Sequence, residues 1–213
     1  MARETEPRLY LVVGAGTAPE AVAVLLDAVG VAALLVAAAA GKTLDVASVK
    51  PLVDLAQGRN IAALVQGDAQ LARTLRADGV HVPWSKDVVE QYAQAREIVG
   101  GRFIVGVDVG RSRHDAMTLA EAGADYVGFG IPAHVDDRET ARARRLDLVE
   151  WWSEIFEVPC VPFDVDGGED AIALAHAGAD FVALGVNAET SAADLQRWAA
   201  DIDAAAAARE VAA

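Results

Sequence analysis

One short segment occurs twice in this sequence and strongly constrains the fold. Residues 122–127 read Ala-Gly-Ala-Asp-Tyr-Val, and residues 177–182 read Ala-Gly-Ala-Asp-Phe-Val. A looser copy, Ala-Asp-Gly-Val, occupies residues 77–80. Each full copy is typical of a joint where a helix ends, a glycine adopts the left-handed conformation and an aspartate leads into a buried strand. A chain built from such joints alternates helices with parallel strands.

Short apolar runs alternate with longer amphipathic stretches along the whole chain. The apolar runs predict strands at residues 9–13, 32–36, 61–65, 79–82, 103–107, 126–129, 159–163 and 181–184. Helices are predicted at residues 18–29, 45–57, 68–75, 88–98, 113–122, 146–156, 170–177 and 191–209. Eight such units in 213 residues predict one domain, a (β/α)8 TIM barrel over residues 1–213, with residues 1–6 frayed. An open doubly wound sheet is the alternative, but Pro19 stands where its fingerprint needs a third glycine.

The amino-acid composition limits the cellular environment and the classes of binding partner expected for the chain. A hydrophobic fraction of 54% excludes disorder for the bulk of the sequence. The lone cysteine, Cys160, excludes an internal disulfide, and without a signal-like start it favours a cytoplasmic protein. The net charge of -14 argues against a nucleic-acid partner. Asp27 and Gly30 interrupt the apolar residues 21–40, so no membrane span is expected. A small phosphorylated ligand is compatible with the net charge, because backbone N–H groups at a helix start can hold a phosphate.

In a barrel of this kind, functional residues gather where the strands end. Asp108, Asp164 and His134 follow three of the predicted strands and are the candidates for acid–base catalysis, because neighbours can shift a carboxylate or imidazole pKa toward neutrality. The candidates for ligand binding at the same end are Gln66, His81, Gly128, Gly130, Asp166, Gly167, Gly185 and Asn187. The glycines after the last two strands are typical, though weakly so, of a phosphate site.

The carboxylates at this end allow more than one role. Oxygen ligands that converge on one rim can hold Mg²⁺, and Asp108, Asp164 and Asp166 are the residues to which this applies. The same residues could simply cap the helices that follow them. If Asp108 and Asp164 repel each other at a functional site, replacing each with asparagine should raise the thermal stability.

Other features have an ordinary structural interpretation. His81 is better interpreted as a hydrogen-bonded residue inside the barrel, and the arginines of residues 142–145 as a solvated cluster paired with acidic side chains. Trp84, Trp151 and Trp152 could mark the interface of a homodimer, although at least one of the adjacent pair is expected to be buried.

Several segments resemble the thiamin-phosphate synthase family and its thiazole-tautomerase relatives. They are Leu-Tyr-Leu-Val at 9–12, Ala-Asp-Gly-Val-His at 77–81, Ile-Val-Gly-Val at 104–107, Ala-Gly-Ala-Asp-Tyr-Val-Gly-Phe-Gly at 122–130 and Ala-Gly-Ala-Asp at 177–180. The resemblance covers nearly the whole chain in order and spacing. It implies a (β/α)8 barrel and, for synthase members, a Mg²⁺-dependent condensation of a pyrimidine pyrophosphate with a thiazole phosphate.

The residues that carry this chemistry in the family differ here. Residues 35–39 read Leu-Val-Ala-Ala-Ala in place of Gln-Leu-Arg-Glu-Lys, and Gln66-Gly67 replaces Asn-Asp. Residues 134–138 stand in place of a Thr-Pro-Thr-Lys loop, and Asp164 replaces the first of two paired glycines. Gly128 and Gly130 carry over as written, and positive charge would have to come from other positions.

Three functions are therefore compatible with the sequence. The first is a thiamin-phosphate synthase-type transferase of thiamin biosynthesis. In that case Lys42, Lys86 or Arg138 would supply positive charge, and Asp68, Asp87 or Asp108 would take the metal. The second is a barrel enzyme of isomerase or tautomerase type that acts on a small phosphorylated ligand without metal. The third is a non-catalytic protein that binds such a ligand, so the sequence leaves enzymatic activity open.

Overall fold

The computed structural model describes residues 8–39, 42–132, 134–187 and 189–212, and the predicted fraying of residues 1–6 lies outside them. Strands and helices alternate along this part of the chain. The strands are β1 (Arg8–Gly14), β2 (Val31–Ala37), β3 (Ala62–Gln66), β4 (Gly79–Val82), β5 (Ile104–Asp108), β6 (Tyr126–Phe129), β7 (Cys160–Pro162) and β8 (Phe181–Val186). The helices are α1 (Pro19–Ala28), α2 (Val46–Gln57), α3 (Ala69–Leu75), α4 (Val88–Val99), α5 (Arg113–Glu121), α6 (Arg138–Ile155), α7 (Gly167–His176) and α8 (Ala192–Ala212).

The strands form one parallel sheet that curls into a nearly closed barrel. Their order is β7-β6-β5-β4-β3-β2-β1-β8, so neighbours in sequence pair, and β1 also pairs with β8. In register, Tyr10 lies opposite Ala33 on one side and Ala183 on the other. The predicted (β/α)8 TIM barrel is confirmed, and the carboxyl ends of all strands lie at one mouth.

The repeated joints tie the strands of the barrel together. In each joint the aspartate accepts a hydrogen bond from a backbone N–H of the preceding strand: Asp78 from Ala63 at 2.8 Å, Asp125 from Val105 at 2.7 Å, and Asp180 from Cys160 at 2.8 Å. These bonds join β4 to β3, β6 to β5, and β8 to β7. The last joint bridges the two ends of the sheet order, so its side chain helps to close the barrel.

The joint glycines have the predicted left-handed backbone. Gly123 and Gly178 have φ values of 91° and 96°. The looser copy uses Arg76 instead, with φ 55° at the end of α3. The positive φ is therefore kept at all three joints, although the residue that adopts it differs.

Two apolar layers hold the barrel. The larger lies between the sheet and the surrounding helices, and the smaller fills the inside of the barrel. Tyr10, Leu64, Tyr126 and Phe163 are prominent members of the inner layer. Trp152 is fully buried in the outer layer, as expected for at least one of the adjacent tryptophans. None of the described helices combines the length and apolar character that a membrane span requires.

The prediction for α6 was wrong at its start. The helix begins at Arg138 rather than at residue 146, and the Asp137 carboxylate accepts from the Thr140 N–H at 3.0 Å. Charged residues dominate its first two turns and hide the apolar periodicity. Arg145 lies within the helix and is 2% exposed, so the predicted solvated role is wrong for this residue, although Arg142 and Arg145 both pair with aspartates as predicted.

Candidate functional site

A cavity of about 220 Å³ lies at the mouth formed by the carboxyl ends of the strands. Its polar side chains are Gln66 on β3, His81 on β4, Asp108 at the end of β5 and Asp164 just after β7. Gly185 of β8 also lines it, and Phe163 supplies an aromatic wall. Since strands 3, 4, 5, 7 and 8 each contribute a predicted candidate, the barrel brings these residues together.

Asp108 is the enclosed carboxylate of this cavity. Its Oδ1 accepts hydrogen bonds from the Gly110 N–H at 2.7 Å and the Gly130 N–H at 3.0 Å. A Cβ atom at Gly130 would overlap Oδ2, so the glycine gives the carboxylate its space. Burial raises the pKa of Asp108 to about 6, the two N–H bonds oppose this rise, and the negative charge of Asp164 adds to it. Asp108 can therefore gain or lose a proton near neutral pH.

Asp164 places a second carboxylate at the rim. Its Oδ2 accepts from the Ile131 N–H at 2.8 Å, which connects the end of β7 to the loop after β6. Its backbone has φ 56°, a left-handed conformation that favours glycine. Asp164 therefore holds a conformation that suits glycine and adds a negative charge to the rim.

His81 is neutral and fixed inside the barrel. It is 2% exposed, and its Nδ1 lies 2.8 Å from the hydroxyl oxygen of Tyr126. Its ring centroid lies 4.6 Å from that of Phe163. Burial lowers the pKa of His81 to about 3. The interpretation as a hydrogen-bonded barrel residue is confirmed, and His81 also faces the cavity.

Other candidates lie outside the lining of this cavity. His134 is exposed on the loop after β6, with its ring centroid 5.3 Å from that of Trp84. Asp166 pairs with Arg142. Asn187 stabilises its own turn, because Oδ1 accepts from the Glu189 N–H at 2.8 Å.

The candidate glycines act in different ways. Gly128 makes room inside the barrel, since a Cβ there would contact the Phe163 ring at 2.9 Å. Gly167 is the first residue of α7, which therefore starts before the predicted residue 170. Gly185 lies within β8 rather than after it, since the strand extends to Val186.

The candidate metal ligands, Asp68 and Asp87, do not converge on the cavity. Asp68 caps α3 by accepting from the Leu71 N–H at 2.8 Å, and it lines a separate groove beside α4. Asp87 is exposed at the start of α4. Within the described ranges, no three His, Cys, Asp or Glu residues are grouped to hold a metal ion. The described residues therefore do not fit a magnesium site built by the protein alone.

Sequence reasoning missed the aromatic residues inside the barrel. Tyr10 and Tyr126 touch through their hydroxyl oxygens at 2.8 Å. A Cβ atom at Gly106 would overlap the Tyr126 ring, so this glycine of β5 makes room for the tyrosine of β6. A glycine within a buried strand indicates the close approach of a neighbour, which is the signal that could have found this pair.

Comparison with known proteins places this geometry among its relatives. The family model described as thiamine monophosphate synthase matches residues 9–188. The thiamine-phosphate synthase of Rhodospirillum centenum is 37% identical over 185 residues, covering 84% of this chain and 88% of that protein. The thiamine-phosphate synthase of Erythrobacter litoralis is 38% identical over 137 residues, covering 63% of each chain.

Solved structures agree on the fold. The thiamine phosphate pyrophosphorylase of Pyrococcus furiosus superimposes with a TM-score of 0.74, covering 94% of this chain and 98% of that one. Its sequence is 20% identical, so this likeness concerns the barrel alone.

Proposed function

This chain belongs to the thiamine monophosphate synthase family, and from that premise we propose that it is a thiamine-phosphate synthase-type transferase of thiamine biosynthesis. Its substrates would be a pyrimidine pyrophosphate and a thiazole phosphate. The observation that carries the proposal is the cavity at the carboxyl ends of the strands, which lies within the matched residues 9–188.

The cavity has chemistry suited to one half of this reaction. Positive charge develops on the pyrimidine as its pyrophosphate leaves. Asp108 and Asp164 put negative charge beside the space that a flat ring would occupy against Phe163. Carboxylates fixed in an enclosed site stabilise such charge more than water does, because they need not reorient during the reaction.

The leaving pyrophosphate needs a different environment. The backbone N–H groups at the start of α7, around Gly167 and Gly168, can hold a phosphate at the rim. Lys42, Lys86 and Arg138 are exposed on loops and helix starts that follow β2, β4 and β6. These cations would supply the charge that residues 35–39 lack.

Magnesium is varied in the assay but has no assigned role in the proposed reaction. Since the described residues do not fit a metal site built by the protein alone, no step is assigned to the ion. The expected ligand class is a small phosphorylated molecule.

The test is a turnover assay on the purified chain with both substrates, with and without Mg²⁺. We expect pyrophosphate and thiamine phosphate to form in equal amounts. Asp108→Asn should lower the rate at least tenfold, because the carboxylate faces the developing charge (about 1.4 kcal/mol per tenfold). Asp147→Asn, an exposed carboxylate on α6, is the matched control and should leave the rate unchanged. Absence of thiamine phosphate under both conditions overturns the proposal.

The homodimer stays a prediction, and light scattering on the same sample measures the oligomeric state.

A second candidate, a metal-free isomerase or tautomerase, is favoured by one observation. Asp108 has a pKa of about 6 in the same cavity as a neutral histidine, which suits proton transfer to and from a small ring. This candidate predicts exchange of a ring proton of thiazole phosphate with D₂O in the absence of the pyrimidine substrate. If the ligand raises the melting temperature but neither reaction occurs, the chain is a binding protein.

A further inference from the structure

We propose that Tyr10, Tyr126 and His81 form a proton relay through the inside of the barrel, linking the cavity at the mouth to a second cavity at the opposite end. The Tyr10 and Tyr126 hydroxyl oxygens are 2.8 Å apart, and the Tyr126 oxygen lies 2.8 Å from Nδ1 of His81. Both distances are those of good hydrogen bonds. The relay is independent of which reaction the mouth performs.

The two ends of the relay face different cavities. The second cavity, of about 270 Å³, lies at the amino ends of the strands and is lined by both tyrosines. Its rim carries the exposed residues Arg8 and Asp125. At the other end, His81 lines the mouth cavity together with Asp108. The relay therefore crosses the inner layer of the barrel, where Leu35, Leu64 and Val161 are among its apolar neighbours.

All three groups are held neutral by their burial. The side chains of Tyr10 and His81 are each 2% exposed, and that of Tyr126 is 6% exposed. Burial raises the pKa of both tyrosines, and it lowers the pKa of His81 to about 3. Protons therefore move along the chain by exchange between neutral partners rather than by ionisation of one member.

The hydrogen bonds allow two arrangements. In the first, Tyr10 donates to Tyr126, Tyr126 donates to Nδ1 of His81, and the histidine proton lies on Nε2. In the second, every bond is reversed: the histidine proton lies on Nδ1, Tyr126 donates to Tyr10, and Tyr10 donates toward the second cavity. Nε2 makes no hydrogen bond to the described residues, so it is a donor to the mouth in the first arrangement and an acceptor in the second.

Passage from the first arrangement to the second transfers one proton. Nε2 releases its proton to a ligand nitrogen or oxygen, Nδ1 takes the Tyr126 proton, and Tyr126 takes the Tyr10 proton. Tyr10 then takes a proton from a water molecule that enters the second cavity, and the hydroxide so formed is neutralised by the solvent. One proton enters at one end and one leaves at the other, and the histidine is neutral before and after. The ligand class is a ring or chain with a basic nitrogen or oxygen within reach of Nε2.

The packing of the barrel holds the relay in place. Gly106 leaves the space that the Tyr126 ring occupies, and the His81 and Tyr126 rings are nearly parallel, at 10°. The Tyr10 ring meets the edges of Tyr126 and Phe163 at centroid distances of 5.9 and 5.5 Å. The three hydroxyl and imidazole groups therefore have little freedom to leave the line that they form.

The test reads the proton position on His81 directly. The whole chain is labelled with ¹⁵N-histidine, and NMR reports which ring nitrogen is protonated. The chain has four histidines, and His114, His134 and His176 are exposed. His81 should stay neutral well below the ordinary pKa of histidine, because burial lowers its own pKa. The His81 signals should report a mixture of the two tautomers in the native chain.

Tyr10→Phe is the decisive variant, because the Tyr10 hydroxyl bonds to Tyr126 and not to His81. Without the Tyr10 hydroxyl, Tyr126 has Nδ1 as its remaining partner in the relay and must donate to it. The tautomer mixture should collapse to the form protonated on Nε2. Tyr92→Phe is the matched control: Tyr92 is also a buried tyrosine, but its hydroxyl donates to the Ala122 carbonyl at 3.3 Å, outside the relay.

The expected changes in the His81 signals can be distinguished from a loss of folding. Tyr92→Phe should leave the His81 signals unchanged, and the melting temperature of each variant shows whether it is folded. If Tyr10→Phe folds and the tautomer signals match those of the native chain, the relay is refuted. Protonation of His81 at the ordinary pKa of histidine would also refute it. Because the free protein is used, failure of the turnover assay does not affect this result.

Discussion

Replacing Asp108 with asparagine should stabilise the protein above pH 6 while impairing its chemistry. The fold encloses this carboxylate, faces it toward Asp164 and raises its pKa to about 6. Asparagine has nearly the same shape, and its Oδ1 can still accept from the Gly110 and Gly130 N–H groups. The substitution therefore removes a negative charge and preserves the hydrogen bonds.

The size of the effect follows from the pKa difference. The ordinary value for aspartate is 3.8, so a folded value of about 6 corresponds to an upper bound of about 3 kcal/mol. Because the cavity leaves Asp108 partly accessible, we expect about 1–3 kcal/mol. Between about pH 4 and pH 6 the folded state binds more protons than the unfolded state, so native stability falls as pH rises. Above pH 6 the full penalty is present, and below pH 4 it is absent.

Urea unfolding of the native chain and of Asp108→Asn at pH 4, 5, 6, 7 and 8 measures this. The free-energy difference should grow from near zero at the lowest pH to its plateau, with a melting-temperature gain of about 2–10 °C at pH 8. Asp147→Asn should show no such growth. Parallel pH profiles for the native chain and Asp108→Asn, or a destabilised variant at pH 8, would refute the assigned burial of the charge.

Three further predictions concern the barrel itself. Asp180→Ala should lower the free energy of unfolding by about 2–3 kcal/mol in urea, because it removes the carboxylate that accepts from the buried Cys160 N–H. This loss should exceed that of Asp125→Ala at the more exposed joint. Gly106→Ala should lower the free energy of unfolding by about 1–3 kcal/mol, since the new methyl group displaces the Tyr126 ring. It should also change the near-ultraviolet circular dichroism of the tyrosines, and unchanged spectra would contradict this. Arg145→Ala should lower the free energy of unfolding by about 3–5 kcal/mol in the same assay, because the Asp170 charge loses its buried partner. A loss below about 1 kcal/mol would contradict the pairing.

The fold was predictable because its joints are local in sequence. The repeated Ala-Gly-Ala-Asp segments fix where helices end and strands begin, and β4 and β6 have the predicted bounds. The role of the joint aspartates was not predictable in the same way. Each one bonds to a strand about 15–20 residues earlier, and that partner becomes visible only when the strands are adjacent.

The start of α6 escaped prediction for a physical reason. Its first two turns carry arginines whose partners lie on other elements, since Arg142 pairs with Asp166 and Arg145 with Asp170. Periodicity detects a helix by its apolar face, and here part of the inward face is a buried guanidinium. The sequence shows that such a residue is charged, but it does not show the ion-pair partner that allows the residue to be buried.

The candidate site was predictable to the extent that it depends on topology. Knowing that strand ends meet at one mouth was enough to bring Gln66, His81, Asp108 and Asp164 together. Helix capping and local turns were equally good explanations for each aspartate alone, and they hold for Asp68. What separates the two groups is the side-chain direction, which the sequence does not contain.

The charge at the mouth narrows the functions that this barrel can perform. Asp108 occupies space left by Gly130, and Asp164 occupies a left-handed position that suits glycine. Both residues place a carboxylate at the lining of the mouth cavity. Over the same rim, residues 35–39 supply no cation. The inner cavity therefore favours a ring that is positively charged or donates protons, and it disfavours a phosphate. On the proposed function, the phosphate would bind outside this cavity, at the start of α7 and the loop cations. A transferase that builds a cationic ring and an isomerase that protonates one both meet this condition, and they differ in whether turnover requires the second substrate.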